Sequence, residues 1–153
     1  MWMRWGLITW FVVAIAITTQ APNLLSDSND FLKNFVNHEF LNFMGVLVTI
    51  TLASCANLFV SLHRLEAKFG KDTLKSTKKD VKDSSFFLIY LLLISLVTVI
   101  VKPLLPATDF VMCAVNSFAI GCVLMAAFAL FDITDAAFEI APLLGETHAD
   151  NDQ

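Results

Sequence analysis

The stretch FLNFMGVLVTITLASCANLFVSLHRLE, Phe40 to Glu66, decides the fold. No charged side chain occurs between Leu41 and Leu62. As a helix, that run spans roughly 33 Å, the thickness of a bilayer's hydrocarbon core. The run is also two-sided. At about 100° per residue, Asn42, Gly45, Thr49, Ala53, Ala56 and Asn57 share one face, while Phe40, Met44, Leu47, Leu58 and Leu62 share the other. A bulky face suits lipid, and a small, weakly polar face suits another helix.

Working outward, the composition fits the same class. The chain of 153 residues is 57% hydrophobic and only 16% charged, with a mean hydropathy of +0.70, too apolar for an ordinary soluble domain. The expected fold is all-α: a polytopic membrane protein with four transmembrane helices in a small bundle. One domain over residues 1–145 holds spans at about 2–19, 41–62, 86–101 and 110–131, followed by a flexible acidic tail over 146–153. The second and fourth helices are expected to extend into the cytoplasm. Cys55, Cys113 and Cys122 lie inside apolar runs without CxxC spacing, so they read as small buried residues.

The first run carries Trp2, Trp5 and Trp10 at an aromatic end, with Arg4 able to snorkel to headgroups. A cleaved signal peptide is the alternative, with Thr19-Gln20-Ala21 as its small-residue site, and Pro22 directly after argues against it. Ser26 to Asp30 form a capping cluster. Phe31, Leu32, Phe35 and Val36 then predict a short amphipathic helix on the membrane surface.

Residues 63–85 hold seven Lys/Arg against four Asp/Glu, most of the chain's positive charge, which puts this loop and both termini in the cytoplasm. Arg64, Lys68, Lys71, Lys75, Lys78 and Lys82 recur at helical spacing as one basic stripe. Gly70 and Asp72 mark a break and restart, and Asp83, Ser84 or Ser85 is expected to cap the third span. Such a surface suits anionic lipid or a cytosolic protein partner. Direct nucleic-acid binding is not favoured, because no aromatic or glycine pattern accompanies the lysines.

Lys102 to Asp109 is a Pro-containing hairpin on the outer side. The fourth span carries a second small stripe, Cys113, Ala114, Ser117 and Gly121, with Asn116 as its strongly polar residue, close in depth to Thr98. Asp132, Asp135 and Glu139 continue that helix on one acidic face until Pro142 and Gly145 end it. Slid against each other by 68 residues, the second and fourth spans place Gly45 level with Cys113, Thr49 with Ser117 and Ala53 with Gly121. Arg64 falls level with Asp132, Lys68 near Asp135, and Lys71 level with Glu139. The expectation is a small-residue contact under a cytoplasmic charge clamp, within or between subunits.

Chemistry is sparse. His38, His63 and His148 lie at or beyond span ends, no span has a mid-membrane carboxylate, and no metal, phosphate-loop or nucleophile motif occurs. An enzyme, a cofactor and a metal site are not expected. The first functional reading is a non-enzymatic inner-membrane subunit, a homo-oligomer that couples the bilayer to a cytosolic partner as a sensor or anchor. Its packing residues are Asn42, Gly45, Thr49, Ala53, Asn57, Ser61, Ser117 and Gly121. The second is an oligomeric pore lined by Thr49, Ser54, Asn57 and Ser61, with Leu58 as an apolar constriction. The third is a toxin-neutralising immunity protein. In layout alone, four short spans with little soluble mass are similar to membrane components of bacterial defence and immunity systems.

Overall fold

A computed structural model describes residues 2–69 and 75–149. Every regular element among them is helical: α1 (Trp2–Gln20), α2 (Asp30–Phe35), α3 (His38–Phe69), α4 (Lys75–Val101) and α5 (Asp109–Ala149), with single 3-10 turns at Pro22–Leu24 and Lys102–Leu104. Three helices are long and apolar enough to cross a membrane, over His38–Glu66, Lys75–Leu104 and Asp109–Phe138. The apolar part of α1 over Ile8–Gln20 is shorter.

The helix boundaries depart from the sequence expectation in two places. α4 begins at Lys75, eleven residues before the apolar run, so Asp83, Ser84 and Ser85 lie inside a helix and do not cap one. The Ser85 hydroxyl instead donates to the Val81 carbonyl at 2.8 Å. α5 passes through Pro142 and Gly145 to Ala149. A proline inside a helix removes one i→i−4 bond and strains its turn at a cost of about 3 kcal/mol, which here does not end α5. The Gly70 and Asp72 break and the last four tail residues lie outside the described residues.

The helices are arranged around α5, which touches α1, α3 and α4. Between Val111 and Leu130 only Ala114 and Phe118 of α5 are exposed. α3 and α5 run parallel, with α4 antiparallel between them in sequence. The turns after α1 and α4 meet at one end, and the last turns of α3 meet the first turns of α4 at the other. α1 is antiparallel to α5. Thr18 Oγ1 meets Cys113 Sγ at 3.4 Å, and Trp10 lies over Gly121, so residue numbers fall by eight on α1 as they rise by eight on α5.

α3 is turned opposite to the sequence expectation. Its bulky face, Phe40, Met44, Val48, Leu58, Leu62 and Leu65, is buried in the core with Cys55, while Asn42, Thr49, Ala53, Ala56 and Asn57 are exposed. The physical reason is volume. The space between α3, α4 and α5 is lined on the α5 side by Cys122, Ala126 and Ala129, and only large side chains from α3 and α4 fill it. The outer surface is apolar, with Phe11, Val46, Ile50, Tyr90, Leu93, Val97 and Ile100 exposed. That profile suits lipid, where packing and internal hydrogen bonds hold helices together in place of the hydrophobic effect.

Gly121 admits α1. A Cβ placed there meets Trp10 Nε1 at 3.1 Å, the movable end of a side chain. Gly121→Ala should therefore leave the thermal midpoint in detergent nearly unchanged. Gly121→Leu should displace α1, lower the midpoint, and shift the Trp10 emission in a Trp2→Phe, Trp5→Phe background.

Candidate functional site

The most elaborate polar arrangement lies where the loop after α1, the end of α4 and the first turns of α5 meet. Lys102 follows the last apolar residue of α4, where Pro103 turns the chain into a 3-10 turn. Its side chain folds inward and is 10% exposed. The ammonium donates to Asp27 Oδ1 at 2.8 Å and to Asn116 Oδ1 at 3.0 Å. The fully buried Asn116 completes the ring. Its Nδ2 donates to the Leu25 carbonyl at 2.8 Å and to Asp27 Oδ1 at 3.1 Å. One amide thus uses its acceptor and both its donors, which fixes its orientation.

The loop that carries Asp27 is built to present it. Buried Ser26 donates to the Asn23 carbonyl and accepts from the Ser28 amide at 3.2 Å, a local turn. Ser28 donates to Asp109 Oδ1 at 3.1 Å, tying the loop to the start of α5. Asn29 caps α2 by accepting from the Phe31 amide. α2 then folds against α3, with Leu32 and Val36 buried and Phe35 edge-on to Phe40 and Phe43 at 6.0 and 6.2 Å.

For Asp27, burial raises the pKa. The hydrogen bonds from Lys102 and Asn116 and the charges of Lys102 and Lys33 together outweigh it, leaving the carboxyl below its usual value of 3.8. The group stays ionised at neutral pH and holds the ion pair.

A second clasp closes the opposite end. Lys78 of α4 donates to Glu66 Oε2 and to His63 Nδ1 of α3, and its ammonium lies 5.5 Å from the Phe59 ring centroid. An ammonium can only donate, so Nδ1 of His63 is the acceptor there.

The sequence-selected residues divide. Thr49, Ser54 and Ser61 return their hydroxyls to their own helix, at the carbonyls of Gly45, Ile50 and Asn57. Nothing lies within 4 Å of a Cβ built on Gly45. The side-chain amides of the exposed Asn42 and Asn57 have no partner among the described residues. Leu58 faces the core, so it cannot constrict a path lined by the opposite face. Asn116 does not reach Thr98, which bonds the Ile94 carbonyl of its own helix at 2.8 Å. α3 and α5 do touch, but through the bulky side of α3, so the small stripes are not joined within one chain.

Of the charged set, Lys78 is engaged in the clasp, while Arg64, Lys75, Lys82, Asp132 and Asp135 are exposed. Lys82 lies 6.0 Å from the centroid of the Phe86 ring. Lys71 and the side chains of Lys68 and Glu139 lie outside the described residues.

The small face of α5 borders a groove instead. α1 and α4 flank α5 and leave between them an apolar trough of about 650 Å³, lined by Trp10, Tyr90, Ile94, Ser117, Phe118 and Gly121 among others. Ser117 is 5% exposed, and its hydroxyl has no hydrogen-bond partner among the described residues. The Ser95 hydroxyl is likewise buried without a hydrogen-bond partner among the described residues.

Sequence reasoning missed the Asp27–Lys102 pair. Its signal was present: Lys102 is the only Lys or Arg after Lys82, and it sits between an apolar run and Pro103. Among the described residues no group of three His, Cys, Asp or Glu side chains could hold a metal ion. No protein-family model matches the chain, and no curated protein or solved structure is significantly similar to it.

Replacing Lys102 by Met should destabilise the fold by about 1–3 kcal/mol, because Asn116 keeps a buried acceptor without its donor. The Asp27 contribution is expected to follow pH. A lowered folded-state pKa gives stability that is present above the usual 3.8 and is lost as pH falls through the folded value. Melting curves of wild type and Asp27→Asn should differ at neutral pH and converge in acid.

Proposed function

We propose that this chain is a non-enzymatic integral membrane subunit of four spans, with both termini cytoplasmic. It assembles with copies of itself through the outward face of α3 and offers its charged inner end to a cytosolic protein partner. The observation that carries the reading is the orientation of α3. A bilayer has no water to satisfy an amide at its core, and an unmet polar group there costs several kcal/mol. α3 nevertheless presents Asn57 outward, beside Thr49, Ala53 and Ala56. Small side chains let a second backbone approach, and an amide is both donor and acceptor, so it can bond its counterpart or a neighbour.

The antiparallel register of α1 supports a fourth span. Carried one residue for one residue from the Thr18–Cys113 and Trp10–Gly121 contacts, it brings Trp2 level with Ala129. α1 therefore runs beside most of the apolar length of α5. An even number of spans returns both termini to one side. The basic excess around the α3–α4 connection makes that side cytoplasmic, and Asp27, Lys102 and Asn116 then lie at the outer rim.

The exposed charges at the inner end, Arg64, Lys75 and Lys82 together with Asp132 and Asp135, form the surface expected to meet a cytosolic partner. A plasma membrane of bacterial type is the expected location. The pore reading retains the outward Thr49 and Asn57 but loses Leu58 as its gate.

Topology is checked with single cysteines at the exposed positions Ser76 and Ser28. An impermeant maleimide added outside should label Ser28→Cys and spare Ser76→Cys, and the reverse pattern would invert the scheme. Assembly is checked by mass in nanodiscs. Wild type should be oligomeric, and Asn57→Leu should weaken association by about 1 kcal/mol, the scale of one intramembrane hydrogen bond. A monomeric wild type would remove the assembly reading, and ion flux in liposomes abolished by Asn57→Leu would favour the pore.

A further inference from the structure

We infer that the cleft between α3 and α4 at their clasped end holds one anionic phospholipid, with its phosphate at Lys82 and Lys75 and one acyl chain in the cleft. The inference rests on the reading of this chain as an integral membrane subunit, and it assigns two cations of the inner end to lipid.

The cleft has a volume of about 490 Å³ and is walled by Leu52, Ala56 and Phe59 of α3 and by Val81, Phe86 and Ile89 of α4. Ala56, Phe59, Phe86 and Ile89 are exposed, so it opens outward, away from the core. From Leu52 to Phe59 the wall is roughly 10 Å long, enough for the upper part of one hydrocarbon chain. Ser85 also borders the cleft, but its hydroxyl is given to the Val81 carbonyl.

The apolar wall and the basic stripe are one face of α4. Measured from Lys82, Lys75, Lys78, Phe86 and Ile89 all lie within about 40° around the helix axis. Asp83 lies about 100° away and Asp80 about 160° away, so neither acid follows the cleft. On α3 the wall likewise continues into His63 and Glu66, both within about 40° of Phe59. The clasp of Lys78, Glu66 and His63 therefore bridges the mouth of the cleft and joins its two walls.

Two rings of the cleft each hold an ammonium at that mouth. Lys82 lies 6.0 Å from the centroid of Phe86, and Lys78 lies 5.5 Å from that of Phe59. Glu66 neutralises Lys78. Lys75 and Lys82 are exposed and have no carboxylate partner among the described residues. The mouth is left with positive charge that nothing on the same face offsets.

Depth selects the class of ligand. No charged residue occurs between Asp83 and Lys102, so Lys82 stands at the edge of the hydrocarbon and the cleft lies within it. An acidic cytosolic protein reaches the lysines but leaves the cleft empty, and so does a free phosphate. A phospholipid brings anion and hydrocarbon in one molecule, at the depths the bilayer imposes. A zwitterionic headgroup would set its own ammonium against Lys82, which favours a headgroup of net negative charge.

The test uses the full-length protein in phosphatidylcholine nanodiscs holding a trace of phosphatidylglycerol with a diazirine on one acyl chain. Light should attach one lipid per chain, within residues 52–60 or 81–89. Unlabelled phosphatidylglycerol should compete, and added phosphatidylcholine should not. Lys82→Gln should weaken binding about fivefold, the scale of one lysine at an anionic surface, and Lys82→Arg should retain it. Ile89→Trp keeps every charge and fills the cleft, and it should reduce labelling. Equal labelling by a phosphatidylcholine probe, or adducts spread over the exposed faces of α1 and α4, would reduce the site to ordinary boundary lipid and overturn the inference. Unchanged binding in Lys82→Gln would do the same. Displacement of the probe by an aspartate-rich peptide, without headgroup preference, would assign the lysines to a protein instead. An oligomer without lipid selectivity would overturn the site and leave the subunit reading standing, whereas a chain extracted from membranes by alkaline carbonate would overturn both.

Discussion

An ammonium at the rim of an apolar bundle must bring its partners with it. Lys102 does so, and the fold at that end follows from the requirement. Asp27 has to be delivered from the first loop, so Ser26 and Ser28 shape the loop and anchor it to Asp109. Asn116 has to face the same point from α5, so the rotation of the central helix is fixed. With α5 oriented by Asn116, its small residues fall where α1 needs close approach, and Trp10 settles over Gly121. Leaving any one of these polar groups unpaired costs more than the net gain from pairing it, so the knot specifies geometry more than it adds stability.

The opposite end repeats the device on a smaller scale. Lys78 gathers Glu66, His63 and the Phe59 ring, and so sets α4 against α3 before either helix enters the apolar zone. Between the clasps the bundle is held by volume. Large side chains from α3 and α4 fill the space beside the alanines of α5. A bundle filled this way can spare its small residues for the outside, and α3 does.

Much of the fold was legible because apolar length is a one-dimensional signal. The three long spans, the turn at Pro22, the cap at Asn29 and the buried cysteines all follow from local sequence. The facing of α3 was not legible. Its two stripes differ clearly, but which one meets the core depends on the size of what stands opposite, and that is α5, seventy-odd residues away in the chain. Asn116 stands out in the sequence as the strongly polar residue of its span, yet its partners come from two segments whose approach no periodicity encodes. The inward turn of Lys102 was obscured by the usual snorkelling of a span-end lysine, and the early start of α4 by a run of lysines that reads equally well as loop.

The central claim is that α3 has a structural side and an assembly side. A substitution scan from Leu41 to Leu62 tests it most directly, with monomer stability and oligomer mass measured for each variant. Truncations at Met44, Val48 and Leu62 should lower stability, whereas leucine at Gly45, Thr49 and Ala53 should leave the fold intact and reduce association. If leucine at Thr49 and Ala53 unfolds the subunit while truncation at Met44 and Leu62 is tolerated, α3 faces the other way and the account is wrong.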